Sequence, residues 1–116
     1  MQLACALSVI LSAAVFVPGA HAAAQNYPNR PIRFILPFAP GGGTDIVARL
    51  FAERVAQDLG QQVVIDNRSG ANTIVGAQFV ARAQPDGYTI LLAIDGTLVM
   101  NPFLYAKLAY DPFKDF

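Results

Sequence analysis

Residues Ile32 to Leu50 read IRFILPFAPGGGTDIVARL: an apolar run that takes in a proline, then three consecutive glycines, then the opening of a helix. Ile32 to Phe38 has the β-branched and aromatic content of a strand, and Pro37 must stand at its end because proline has no N–H to give to a sheet ladder. From Thr44 to Leu59 the period becomes helical. Val47, Leu50, Phe51, Val55 and Leu59 recur at three-and-four spacing and are expected to form the buried face, with Arg49, Glu53, Arg54, Gln57 and Asp58 elsewhere. Gly60 supplies the stop. A strand passing through a glycine turn into a helix is the first half of a β-α-β unit, and this decides the fold class.

The unit continues downstream. Gln62 to Asp66 (QVVID) reads as a second strand, followed by the loop NRSGA and a second helix in which Asn72 caps and Val75, Phe79 or Val80, and Ala83 face inward. Pro85-Asp86-Gly87 is a turn, since proline presets φ and glycine tolerates positive φ. Tyr88 to Ile94 (YTILLAI) is a third strand, apolar on both faces in the manner of a central parallel strand. The expected architecture is α/β, a parallel three-stranded βαβαβ unit with right-handed crossovers and strand 1 between strands 2 and 3. Gly96 to Leu104 suggests a short helix interrupted by Pro102, and AYDPFKDF at the end reads as loop. Such a sheet has exposed edges, which proteins usually cover or continue.

Composition narrows the chemistry. The chain has 116 residues, 54% of hydrophobic type, enough for one core but not for a second domain. Leu3 to Val17 is almost unbroken apolar sequence, Pro18-Gly19 breaks it, and Ala20-His21-Ala22 has the small-x-small pattern of a secretory cleavage site, so residues 1–22 read as a signal peptide and 23–116 as the exported domain. A transmembrane helix fits less well, because the run falls short of the roughly 20 residues that span a bilayer. Cys5 and His21, the single cysteine and single histidine, both fall in that leader. The exported part therefore has no cysteine or histidine nucleophile or base, no disulfide framework and no zinc site built on those residues, and nothing in it calls for a cofactor. Eight Lys plus Arg balance eight Asp plus Glu without clustering, which excludes a basic stripe for nucleic acid or for an anionic membrane.

The loops after parallel strands gather at one sheet edge, where ligands of open α/β sheets bind; here they are Ala39 to Thr44, Asn67 to Asn72 and Asp95 to Thr97. A helix N-terminus offers unpaired N–H groups and partial positive charge, and glycine lets a ligand approach that backbone. Gly41, Gly42 and Gly43 ahead of the helix thus suit a small carboxylate, with Thr44 adding a hydroxyl; alternatively the glycines only permit a tight turn and Thr44 only caps. Neither the Gly-x-Gly-x-x-Gly spacing nor a P-loop ending is present. Asp45 is either a helix-start carboxylate stabilised by the dipole or an acceptor for bound water or a ligand amine. Arg68 is either a ligand partner or a structural charge, and Phe38 is either core or the pocket floor.

Four stretches in order, YPNRPIRFILPFAPGGGTDIVARL, LGQQVVIDNRSGAN, AQPDGYTILLA and GTLVMNPFLYAKLAYDPFKDF, resemble the opening of the periplasmic solute-binding receptors of tripartite tricarboxylate transporters, the Bug family. The resemblance covers Tyr27 to Phe116. It implies the first part of lobe 1 of a type II periplasmic-binding-protein fold, whose two α/β lobes close over a carboxylate-bearing or amino-acid-like metabolite and pass it to membrane permease subunits. It also implies a pocket lined by Phe38, Gly42, Gly43, Thr44 and Asp45, by Asn72 before helix 2, and by Asp95 and Thr97, with no metal and no catalytic residue. Ser69, Asn72-Thr73 and Asp95 depart from the family's usual residues; a carboxylate at 95 either favours a ligand with an amine as well as an acid or points to solvent. Family members carry a second lobe beyond the span matched here. The other readings are an exported enzyme acting on small acids through Asp45 or Asp95, and an inactive remnant of an interrupted gene.

Overall fold

The computed structural model describes residues 27–116; the expected signal peptide lies outside the described residues. Three parallel strands, β1 (Ile32–Leu36), β2 (Val63–Asn67) and β3 (Thr89–Leu91), form one sheet in the order β2-β1-β3. Phe34 pairs with Ile65 on one side and Ile90 on the other, so β1 is central, as the βαβαβ reading requires. β3 takes the outer position that this order gives it, but it is shorter than the expected Tyr88 to Ile94, and Ile90 is exposed where both faces were expected to be covered. The cause lies in β1. Leu92 N–H still donates to Ile35 O, but β1 then runs into Pro37, which has no N–H to continue the ladder.

Helix α1 (Gly43–Leu59) follows the glycine turn and ends at Gly60. Its buried face is not the expected one. Asp45, Ala48 and Ala52 turn inward, whereas Val47, Leu50 and Phe51 are 66%, 64% and 59% exposed and Leu59 also faces out; only Val55 of the predicted set is half-buried. The two stripes are one residue, about 100°, apart on a helix. The small side chains let the helix lie close on Phe34 and Leu36, with Phe38, Val63, Ile65 and Leu92 around them. The large ones form a second apolar stripe that is left mostly exposed, although the Phe51 ring lies 6.1 Å from that of Phe34.

Helix α2 (Ile74–Ala81) packs on the opposite face, because successive β1 residues alternate sides. A Cβ on Gly76 would lie 2.8 Å from Pro37 Cβ and 3.2 Å from the Arg68 carbonyl oxygen, so glycine is what lets α2 approach the end of β1. Gly76 and Ala77 are buried, while Val75, expected inside, is exposed. Asn72 does not cap α2: the N-cap is Thr73, with no side-chain hydrogen bond, and the helix stops at Ala81, short of Ala83. Beyond β3 a π-helical turn, Gly96–Met100, runs directly into α3 (Asn101–Leu104). Pro102 is the second residue of α3, inside this continuous run, where it has no N–H to donate back into the π-helical turn; the run still reaches Leu104, so Pro102 does not interrupt it as expected. At the sheet edge opposite the glycine turn, Arg30 pairs with Asp86 at 2.7 Å and Tyr27 Oη donates to the Gly87 carbonyl, tying the segment before β1 to the α2–β3 turn.

Candidate ligand-binding site

The three strands deliver their following loops to the same edge. The first, Pro37 to Gly42, is bolted down from beneath by Asp45, a carboxylate only 4% exposed. Asp45 Oδ2 accepts from Gly41 N–H at 3.0 Å and Arg49 Nε at 2.9 Å; Oδ1 accepts from Asn67 Nδ2 at 2.9 Å and Arg49 Nη2 at 3.2 Å. Asn67 Nδ2 also donates to the Phe38 carbonyl at 3.1 Å, which joins the first loop to the end of β2. The hydrogen bond from Arg49, then that from Asn67, then that from the Gly41 amide, hold the Asp45 carboxyl well below the usual carboxylate range. Asp45 is therefore an ionised anchor whose oxygens already have donors.

Of the three glycines, one is demanded by conformation. Gly41 has φ +85, in the left-handed region, whereas Gly42 has φ −76 and is the N-cap of α1. A Cβ at Gly43 would meet nothing within 4 Å, and one at Gly42 only the Ala39 carbonyl oxygen at 3.9 Å. Neither backbone strain nor crowding in this chain explains glycine at 42 or 43. Ile46 N–H is the first to find a partner on this turn, the Gly42 carbonyl at 3.1 Å, and no side chain caps the helix. The N–H groups of Gly43 and Thr44 thus have no helical acceptor, and Thr44 is exposed beside them. Phe38 is half-buried, packed against the core beneath this loop.

The second loop has an unusual backbone. Ala71, Asn72 and Thr73 have φ of 45, 51 and 72, three consecutive non-glycine residues in the left-handed region, each costing on the order of 1–3 kcal/mol. The third loop lies against it. Thr73 and Thr97 hydroxyls are 2.8 Å apart, Asn72 Nδ2 donates to Asn101 Oδ1 at 2.7 Å, and Asn101 Nδ2 donates to the Asn72 carbonyl at 2.9 Å. Thr97 and Asn101 are fully buried. Asp95, exposed, accepts at 2.8 Å from the Gly96 N–H that follows it. Arg68 stacks 3.7 Å above the Phe79 ring and pairs with Asp66 at 3.0 Å, on the α2 face.

Gly42, Gly43, Thr44 and Asp45 thus lie together at one helix terminus, with Phe38 beneath, and Asn72 and Thr97 meet at a second cluster fixed to the neighbouring loop. Arg49, Asn67, Asn101 and Tyr110 also build these loops, and sequence reasoning did not single them out; Gly41 and Thr73, which it named, take part as well. Asn101 alone carried a trace of a signal, as a polar residue ahead of Pro102 in an apolar stretch. Among the described residues no group of three or more His, Cys, Asp or Glu side chains is placed to hold a metal ion, and no helix is long and apolar enough to cross a membrane.

A parallel α/β sheet that gathers an uncapped helix terminus and two further loops on one edge has the arrangement with which open α/β sheets bind ligands. Residues 47–116 match the tripartite tricarboxylate transporter family receptor, TctC, and the chain belongs to that family. Protein BugT of Bordetella pertussis is 44% identical over 93 residues, 79% of this chain and 28% of that protein. A UPF0065 protein of Bordetella bronchiseptica is 46% identical over 102 residues, 88% of this chain and 30% of the relative. Among solved structures, the periplasmic binding protein BugD superposes with a TM-score of 0.73 at 48% identity, over 78% of this chain and 30% of that one. MatC from Rhodopseudomonas palustris with bound malate gives a TM-score of 0.73 at 44% identity, over 78% and 31%. An R. palustris protein solved with adipate gives 0.71 at 40%, over 75% and 29%. The chain spans between 26% and 31% of the length of the curated relatives it matches.

Proposed function

We propose that this chain supplies the first wall of the binding site of an extracytoplasmic solute receptor, which captures a small carboxylic acid for the membrane subunits of a tripartite tricarboxylate-type transporter. The observation that carries this reading is the pair Gly42 and Gly43, glycines that the turn itself does not need, lying on an uncapped helix terminus. The carboxylate would lie against the Gly43 and Thr44 amides and the Thr44 hydroxyl, with Phe38 as floor. Asn72 and Thr97, whose side chains are engaged with Asn101 and Thr73, would serve from behind by shaping the second and third loops. Malate and adipate in the related structures support a dicarboxylate or similar acid as the ligand class. One helix terminus contributes up to about 2 kcal/mol to holding an anion, whereas micromolar affinity needs about 8 kcal/mol, so this wall holds one end of the ligand and further contacts must come from residues beyond it.

The enzymatic reading loses one of its two candidate bases. Asp45 is held ionised with its oxygens taken, so it has no proton to give and no open lone pair aimed outward; Asp95, exposed and accepting from the Gly96 N–H, is the carboxylate left to that reading.

The test is calorimetry with a panel of small mono- and dicarboxylic acids, on the protein expressed from its complete reading frame and on its Gly43→Leu variant. The expected result is binding by the parent and its loss in the variant with no fall in thermal midpoint, since the added Cβ enters open space and leucine suits a helix better than glycine. Equal affinity in both would remove the glycine loop from the site.

A further inference from the structure

The second and third loops are joined by more than two contacts. The Tyr110 hydroxyl donates to the Thr97 carbonyl and accepts from Asn101 Nδ2 at 3.3 Å. From there the path runs through the paired amides of Asn101 and Asn72, along one peptide bond to Thr73, and through the two threonine hydroxyls back to Thr97. The hydrogen bonds close into a ring whose five residues come from the second loop, the turn after β3, α3 and the tail. Thr73, Thr97, Asn101 and Tyr110 are all buried, and no buried side-chain polar atom among the described residues lacks a partner.

The ring encloses the strained backbone. Two of the three consecutive left-handed residues, Asn72 and Thr73, are members of it, and Thr73, β-branched, is the type least tolerant of that conformation. Such strain persists only where the surroundings over-determine it. We propose that Asn101 and Tyr110 are positioning residues for the ligand site: through this ring they hold the second loop in its left-handed conformation and lock it to the third, so that both loops present one fixed surface to the ligand. The consequence for binding rests on the receptor reading above; the consequence for the loop does not.

Hydrogen exchange and calorimetry with malate and adipate, on the protein from its complete reading frame, separate the two. Tyr110→Phe, which removes the hydroxyl alone, should speed amide exchange at residues 71–74 about tenfold and weaken acid binding by a similar factor. Adding Ala71→Gly should recover several-fold of both losses, because glycine adopts positive φ without strain and needs less holding. A residue that merely supports the core would not be rescued this way. Thr73→Val should reproduce the loss and Thr73→Ser, which keeps the hydroxyl, should not; this pair carries the test if the tyrosine variant fails to fold. Unchanged exchange at 71–74 in Tyr110→Phe and Thr73→Val, or no recovery on adding Ala71→Gly, overturns the proposal. If the parent binds no acid, the receptor reading falls and the exchange result alone decides the ring.

Discussion

The Asp45 carboxylate accepts four hydrogen bonds, and its role follows from sign. Its carboxyl is depressed in the folded chain, first by the hydrogen bond from Arg49, so folding favours the ionised form. A depressed group stabilises fully above its unfolded pKa, about 4, and that contribution is lost as pH falls from there through the folded value. Urea midpoints recorded from pH 5 downward should therefore fall more steeply for the parent than for Asp45→Asn, whose amide has no charge to protonate; parallel curves would mean that Asp45 does not govern the acid limb. The sequence offered Asp45 as either a helix-start residue or a ligand contact, and it could offer no more. Its partners Arg49 and Asn67 lie four and twenty-two residues away, and only the parallel pairing of β1 with β2 brings Asn67 beneath the glycine loop.

At the scale of elements, the strand-helix alternation was legible because its punctuation is local: Pro37, the glycine turn, Gly60 and Pro85-Gly87 each mark a boundary. Which face of a helix is buried was not legible. Spacing arguments weight large apolar side chains, but the sheet took the alanine stripe of α1, and Val47, Leu50 and Phe51 were left outside. The ring was hidden for a related reason, since its members are neutral, common residues whose hydrogen-bonded pairs lie between 9 and 29 positions apart. Packing of α2 gives a direct check. Gly76→Ala adds a methyl 2.8 Å from Pro37 Cβ and 3.2 Å from backbone at Pro37 and Arg68, with little that can yield. Overpacking of this kind costs typically about 1–3 kcal/mol, and chemical denaturation should register it; a change below a few tenths would mean that α2 shifts freely on the sheet.

For the whole molecule, the outward stripe of α1 and the free edges of the sheet set its behaviour in isolation. Ile46, Val47, Leu50 and Phe51 present contiguous apolar surface, which a soluble monomer rarely leaves open. A polypeptide limited to residues 27–116 should associate in sedimentation experiments and bind a hydrophobic dye, and Val47→Lys with Phe51→Glu should shift it toward monomer. A monodisperse monomer without those changes would show that the stripe is tolerated in water.

The direction of the strands has a practical consequence. All three loops of the candidate site leave from one edge, so the connections at the other edge, such as Gly60 to Gln62 between α1 and β2, point away from it. Gln62 is exposed, and no cysteine occurs in residues 27–116. A Gln62→Cys substitution would create a single thiol in the folded domain, through which the protein could be tethered to a sensor surface with its ligand-facing loops turned toward the solution.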